Sequence, residues 1–346
     1  MKFKMALFLL SLIGFTAQAD VYPDHGLVES HYIKGDALKN NVLHLHHGRE
    51  VIVYLPRGYY ENRQKHYPVV YVLHGAGGLA SSYFNDDPNI VEPDLQPMLD
   101  GLISAGDMPE TIVVVADFDT RHFGGWYQNS PVTGFWRDYF IEDLIPQIDT
   151  KFRTLATPDN RALLGQSMGG YGALSIMLER PELFSAVTAS GPAWMLLRTL
   201  PAPAFAGVYS AIQPQLANYT GKREEMTYFA HIFMALAQVN SHDVSNPPSF
   251  IKQNFSFADF QAISNLSLEY QINQPEIANN DYSHLAVFTG MGEGEGEQSL
   301  QSLAFINDEL SNLGLDLSSK VYPGGHGENL KERIAEALVF IGQEFK

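Results

Sequence analysis

The sequence predicts an α/β fold in which a mostly parallel central sheet is flanked by helices. Two observations predict it: short apolar runs suited to buried strands alternate with helical patterns, and turn residues bound the runs. A third is local. The run Arg161-Ala162-Leu163-Leu164 ends in GQSMGGYG (165–172), so a strand should turn sharply into a helix at Ser167.

Taken in order, residues 51–55 and 69–73 read as strands joined by a polar turn at 59–66. Residues 112–116 form the next strand, ending in Asp117-Phe118-Asp119. Ile141, Leu144 and Ile148 then fall at helical spacing, and Pro146 is expected to kink that helix. After the strand that feeds Ser167, residues 171–178 continue as a helix. Residues 186–189 and 285–289 read as strands. Leu303, Ile306, Leu310 and Leu313 mark a helix capped by Gly314, followed by a strand over 317–322 and a closing helix over 328–345. Between 191 and 283 the alternation is lost: Pro201, Pro203, Pro214, Pro247 and Pro248 and an apolar helical stretch at 226–236 replace it. This helical insertion follows the strand beyond the serine turn, where a lid or pocket wall can be added; it reads equally well as a helical cover for the sheet edge.

Composition narrows the function. With 346 residues and 45% hydrophobic content the chain can bury a large core. Residues 1–19 carry two lysines, an apolar stretch over 6–15 and Ala17-Gln18-Ala19, the pattern of a secretory signal peptide cleaved after Ala19. Residues 20–346 are then expected to form one domain, periplasmic or secreted, with no later membrane span. There is no cysteine, which excludes disulfides, thiol nucleophiles and thiolate metal sites. The formal charge of −17 speaks against a nucleic-acid partner.

The chemistry is carried by three glycine-rich loops. Ser167 lies between glycines at a turn that lifts its hydroxyl clear of the sheet edge, as a nucleophile elbow does. A base must take the Oγ proton. His326, in Tyr322-Pro323-Gly324-Gly325-His326-Gly327, follows a strand and is the only histidine after 285. The acid that orients it comes from Gly290-Met291-Gly292-Glu293-Gly294-Glu295-Gly296-Glu297. A carboxylate just past the strand end favours Glu293, Glu295 is the reserve, and Glu297 suits the start of the next helix. This loop lacks the Asp/Asn alternation of a Ca²⁺ site. His74-Gly75-Ala76-Gly77-Gly78 follows the strand at 69–73 as an oxyanion loop should, so the expected donors are the N–H groups of Ala76 and Met168. Trp126, Tyr127, Phe135 and Trp136 cluster near the carboxyl edge of the sheet, where Trp126 and Tyr127 suit a substrate pocket, or equally the core. His44, His46 and His47 lack a carboxylate partner and read as structural. No metal or cofactor is expected.

On these residues the chain resembles the putative-esterase family of α/β-hydrolases, which includes feruloyl and acetylxylan esterases, S-formylglutathione hydrolase, enterochelin esterases and the antigen 85 mycolyltransferases. The resemblance runs from about residue 51 to the C-terminus and is carried by YPVVYVLHGAGG (67–78), DYFIEDLIPQID (138–149), RALLGQSMGGYGAL (161–174), FSAVTASG (184–191) and VYPGGHG (321–327). It implies Ser167 as nucleophile, His326 as base, Ala76 and Met168 as oxyanion donors, and Glu293 as acid, where the family more often has Asp. The function so implied is an exported serine carboxylesterase acting on a small-molecule or oligosaccharide ester, aryl or carbohydrate-linked (feruloyl or acetyl). A siderophore-trilactone esterase is the alternative within the class, and a non-catalytic binding protein on the same scaffold the alternative outside it.

Overall fold

The computed structural model describes residues 24–192 and 202–345. The expected signal peptide, residues 1–19, lies outside them. Eight strands make one sheet: β1 (Leu27–Lys34), β2 (Gly48–Leu55), β3 (Val69–Leu73), β4 (Ile112–Ala116), β5 (Arg161–Gln166), β6 (Ala186–Ser190), β7 (Ala286–Gly292) and β8 (Asp316–Tyr322). Their spatial order is β1-β2-β4-β3-β5-β6-β7-β8. β2 runs antiparallel to β1 and β4, and every pairing from β4 onward is parallel. The β3–β5 register sets Val69 opposite Arg161 and Leu73 opposite Gly165, so the two strands that lead into the glycine loops end side by side.

Alternation along the central strands explains why both faces are covered. Val69, Tyr71 and Leu73 point to one side, and Val70 and Val72 to the other. The second face packs α1 (Leu95–Ala105), through Leu95 and Leu99, and the closing helix, through Leu330, Ile334 and Leu338. The first face packs the serine-bearing helix, the 136–151 region and the insertion. The insertion contains helices Ala202–Ala217, Tyr228–Asn240, Phe257–Ser264 and Leu268–Ile272. Phe205, Phe233, Met234 and Leu268 belong to the same apolar cluster as Tyr171 and Leu174 beneath them. Among the described residues no helix is long and apolar enough to cross a membrane.

Three elements depart from the sequence reading. β1 is an edge strand in whose LVESHYIK pattern only Ile33 is buried, so its apolar signal is weak. α1 was also unpredicted, although Asp94 caps it by accepting from the Gln96 N–H at 3.1 Å and Gly106 closes it at φ 79°. Pro146 lies inside an unbroken helical run, residues 136–151, and the turns just before it, Tyr139–Leu144, are π-helical, an irregularity that accommodates the N–H proline lacks.

Because Leu99 is fully buried between α1 and the sheet, Leu99→Ala is expected to cost about 2–5 kcal/mol of stability. The shift of the urea unfolding midpoint measures it.

Candidate active site

At the end of β5 the chain makes a turn that only close backbone packing sustains. Ser167 has φ 57° and ψ −121°, an unfavourable conformation for a residue with a side chain. Its N–H donates to the Ser190 carbonyl at 2.9 Å, and helix Met168–Glu179 starts immediately after it. The flanking glycines are steric requirements. A Cβ on Gly165 would lie 2.1 Å from the Gly169 carbonyl oxygen, and one on Gly169 would lie 1.8 Å from that of Leu73.

Ser167 meets His326 across 159 residues of sequence. The distance from His326 Nε2 to Ser167 Oγ is 2.8 Å, and from His326 Nδ1 to Glu295 Oε2 it is 2.7 Å. A carboxylate only accepts, so Nδ1 carries the proton and Nε2 is free to receive one from Oγ. Gly191, at φ 51°, leaves room for this pair: a Cβ there would lie 3.1 Å from both Glu295 Oε1 and the imidazole.

The imidazole's carboxylate partner is therefore Glu295 rather than Glu293. β7 continues through Gly292, three residues beyond the strand expected at 285–289, and a 3₁₀ turn at Glu293–Glu295 then carries Glu293 outward to solvent and Glu295 inward. Glu295 Oε1 also accepts the Gly292 N–H at 3.1 Å. Arg333 completes the arrangement and was not foreseen. It is 1% exposed, its Nη2 donates to the Gly325 carbonyl at 2.7 Å, and its Nη1 lies 3.8 Å from Glu295 Oε1. One guanidinium thus ties the histidine loop to the carboxylate loop.

The glycine loop after β3 lies against the serine. A Cβ on Gly75 would be 3.3 Å from that of Ser167. His74 anchors the loop: its Nδ1–H donates to the Gly75 carbonyl at 2.8 Å, and its Nε2 accepts the Phe118 N–H at 2.8 Å. Ala76 and Met168 are thereby carried on the two segments that flank Ser167.

Trp126 and Tyr127 are not open pocket lining; of the two places the sequence left to them, pocket or core, both lie in the core. Trp126 is 3% and Tyr127 1% exposed. The Tyr127 hydroxyl donates to the His74 carbonyl at 2.9 Å, and its ring fills the space over Gly172. Tyr127 thus buttresses the glycine loop, while Trp126 packs edge-on to Tyr171 with centroids 5.8 Å apart. His46 stacks on His47 with centroids 5.1 Å apart, and among the described residues no group of three or more His, Asp or Glu side chains is placed to hold a metal ion.

Comparison with known proteins follows the same outline. The family described as Putative esterase matches residues 44–329. An endo-1,4-beta-xylanase/feruloyl esterase of Xylanibacter ruminicola is 36% identical over 135 residues, which is 38% of this chain and 18% of that protein. Esterase Rv1288 of Mycobacterium tuberculosis is 37% identical over 140 residues, 39% of this chain and 27% of the relative. The chain thus spans well under two thirds of these relatives. Among solved structures, a ferulic acid esterase superposes with TM-score 0.63 at 19% identity, covering 93% of this chain and 99% of that one. An S-formylglutathione hydrolase from Agrobacterium tumefaciens gives 0.58 at 16%, covering 93% and 96%. At these identities the superpositions establish the α/β-hydrolase fold.

Two outcomes follow from this geometry. Gly169→Ala forces the elbow off the end of β3 and is expected to lower stability by about 3 kcal/mol or more, read by chemical unfolding. The second concerns pH. Burial depresses the pKa of His74, His231 and His122, and for His122 the neighbouring His231, Arg121 and Arg223 add to burial and bring it down to about 3. The unfolded chain, with histidines near about 6.5, then binds protons first. Stability is full above that value and falls as pH drops below it, continuing toward about 3 for His122. Urea midpoints from pH 8 to 4 should decline, and a flat profile contradicts the reading.

Proposed function

The chain belongs to the Putative esterase family of α/β-hydrolases, and on that footing we propose that it is an exported serine carboxylesterase working through an acyl-enzyme, with Ser167, His326 and Glu295 as its triad. The observation that carries the reading is the 2.8 Å contact between His326 Nε2 and Ser167 Oγ, backed by Glu295 at 2.7 Å on the other ring nitrogen.

The steps follow from the donors and acceptors. As Ser167 Oγ attacks the ester carbonyl carbon, its proton passes to His326 Nε2. The imidazolium so formed is stabilised by Glu295, itself held by the Gly292 N–H and flanked by Arg333. The carbonyl oxygen gains negative charge, and the N–H groups of Met168 and Ala76 are the donors proposed for it. Collapse of this intermediate expels the alcohol, which takes the proton from His326. Water then repeats the sequence on the acyl-enzyme, with His326 again as base. The side chain of His326 is 44% exposed, so water has access to it.

The proposed substrate is an aryl or carbohydrate-linked ester, feruloyl or acetyl. Support comes from the feruloyl esterase activity named for the Xylanibacter relative and from the ferulic acid esterase neighbour. Export is supported by the charged, apolar and small-residue pattern of residues 1–19.

Ser167→Ala is expected to abolish p-nitrophenyl acetate turnover and fluorophosphonate labelling, and an unchanged rate overturns the assignment. Glu295→Gln should lower kcat by about 10²–10⁴-fold by destabilising the imidazolium and its tautomer. Glu293→Gln, altering a solvent-facing carboxylate, should leave kcat near that of the parent. The reverse pattern returns the acid to Glu293. A panel of feruloyl, acetyl-sugar, short-acyl and ferric catecholate esters on the purified protein tests the substrate class.

A further inference from the structure

We propose that Arg223 and His231, both in the insertion, are positioning residues that hold the two oxyanion donors in place; the inference rests on the esterase reading above. Residues 118–124, the loop after β4, touch the support of both donors. The Phe123 carbonyl accepts the Gly77 N–H at 2.9 Å, next to Ala76, and a Cβ on Gly77 would lie 3.1 Å from the Phe123 ring. On the other side Gly124, at φ 121°, lies over Met168: a Cβ there would be 2.5 Å from the methionine methyl. A shift of this loop therefore moves the surroundings of Ala76 and Met168 together.

The loop has few ties of its own. Thr120 Oγ1 accepts the N–H groups of His122 and Gly124, each at 3.2 Å, and Phe118 meets His74. Asp119 is also held from the sheet side, its carbonyl accepting from Arg49 Nη2 at 2.7 Å and its N–H donating to Asp117 Oδ1 at 2.8 Å. The insertion adds the grip on the Asp119 carboxylate, Thr120, Arg121 and His122. Arg223 Nη2 lies 2.8 Å from both carboxylate oxygens of Asp119, its Nε donates to the Arg121 carbonyl at 3.1 Å, and Nη2 also donates to the Thr120 carbonyl. Its guanidinium carbon is 4.5 Å from the centre of the Phe123 ring.

His231 fixes the adjoining residue. Its Nε2 is 2.7 Å from the Arg223 carbonyl, which can only accept, so Nε2 carries the proton and Nδ1 is an acceptor. His122 Nδ1, 2.8 Å away, must then be the donor. Both rings are buried and neutral, a directional bond between the insertion and the loop. His231 also stands edge-on to Phe123, with centroids 4.8 Å apart at 72°. Arg223 and His231 thus clamp the segment from two sides without reaching the serine.

The test compares turnover with binding in the full purified chain. Arg223→Ala and His231→Leu should each lower kcat for p-nitrophenyl acetate by about 10–100-fold, the scale of a misplaced oxyanion donor. KM should stay within about threefold, since the loss falls on the transition state. Affinity for an aryl trifluoromethyl ketone, whose adduct with serine carries an oxyanion, should fall in parallel. Arg223→Lys, retaining charge beside Asp119 but not the fork to two carbonyls, should fall between Arg223→Ala and the parent. Lys252→Ala, which breaks the Lys252–Asp259 ion pair inside the insertion, should lower the melting temperature and leave kcat unchanged. Parent-like kcat in folded Arg223→Ala and His231→Leu overturns the proposal, as does an equal kcat loss in Lys252→Ala. Should Arg223→Ala not fold, Arg223→Lys and His231→Leu decide. A parent protein without turnover or labelling at Ser167 counts against the esterase reading instead.

Discussion

The structure depends on one packing constraint: three backbone segments meet at the end of β3 and β5 with no room for a side chain between them. Gly169 lies against the Leu73 carbonyl, Gly165 against Gly169, and Gly75 against Ser167. This contact holds Ser167 at φ 57°, a conformation that costs on the order of 1–3 kcal/mol when unsupported. The large two-faced core supplies the rigidity. Val70, Val72, Leu163 and Leu164 on the converging strands are all buried, so the elbow cannot relax without opening the centre of the sheet.

Electrostatics are concentrated on the other side of the serine. The chain is strongly acidic, yet the loops that bring Glu295 and His326 together enclose one cation, Arg333, almost wholly buried on the closing helix. A buried guanidinium is costly unless its donors are used. Here Nη1 and Nη2 donate to the His326 and Gly325 carbonyls, Nε has no partner among the described residues, and the charge lies beside Glu295. The Tyr322 ring packs 5.2 Å from the guanidinium carbon. The same group that compensates the carboxylate also fixes the position of the imidazole, so loop geometry and charge balance are coupled.

Much of this was legible in the sequence because it was local. Ser167 with its glycines, His326 after a strand, and the His74 loop each carry their signal within six residues or so, and the apolar runs mark every central strand. What was missed depends on tertiary context. Glu293 and Glu295 differ by two residues on a flexible-looking glycine run, and only the added length of β7 decides which turns inward. Trp126 and Tyr127 were identifiable as apolar near the sheet edge, but composition does not tell a pocket wall from a buried support. Arg333 did leave a trace: it falls in phase with Leu330, Ile334 and Ala337 on the core-facing stripe of the last helix, where a charge demands an explanation. The His122–His231 contact spans 109 residues and left none.

The insertion is where the two faces of this argument join. Its helices bury Phe233, Met234 and Leu236 in the main core, so its position is fixed by the same apolar cluster that supports the serine helix. Its polar groups, Arg223 and His231, face the loop after β4. Apolar burial gives such a segment adhesion without direction, whereas the forked guanidinium and the imidazole pair give direction with little net stability. A wall built from both can set the position of a neighbouring loop to within the tolerance a hydrogen-bond donor needs. In this arrangement, sequence far from the glycine motifs contributes to the geometry at Ser167 through residues 118–124, the segment shared by the glycine loop and Met168.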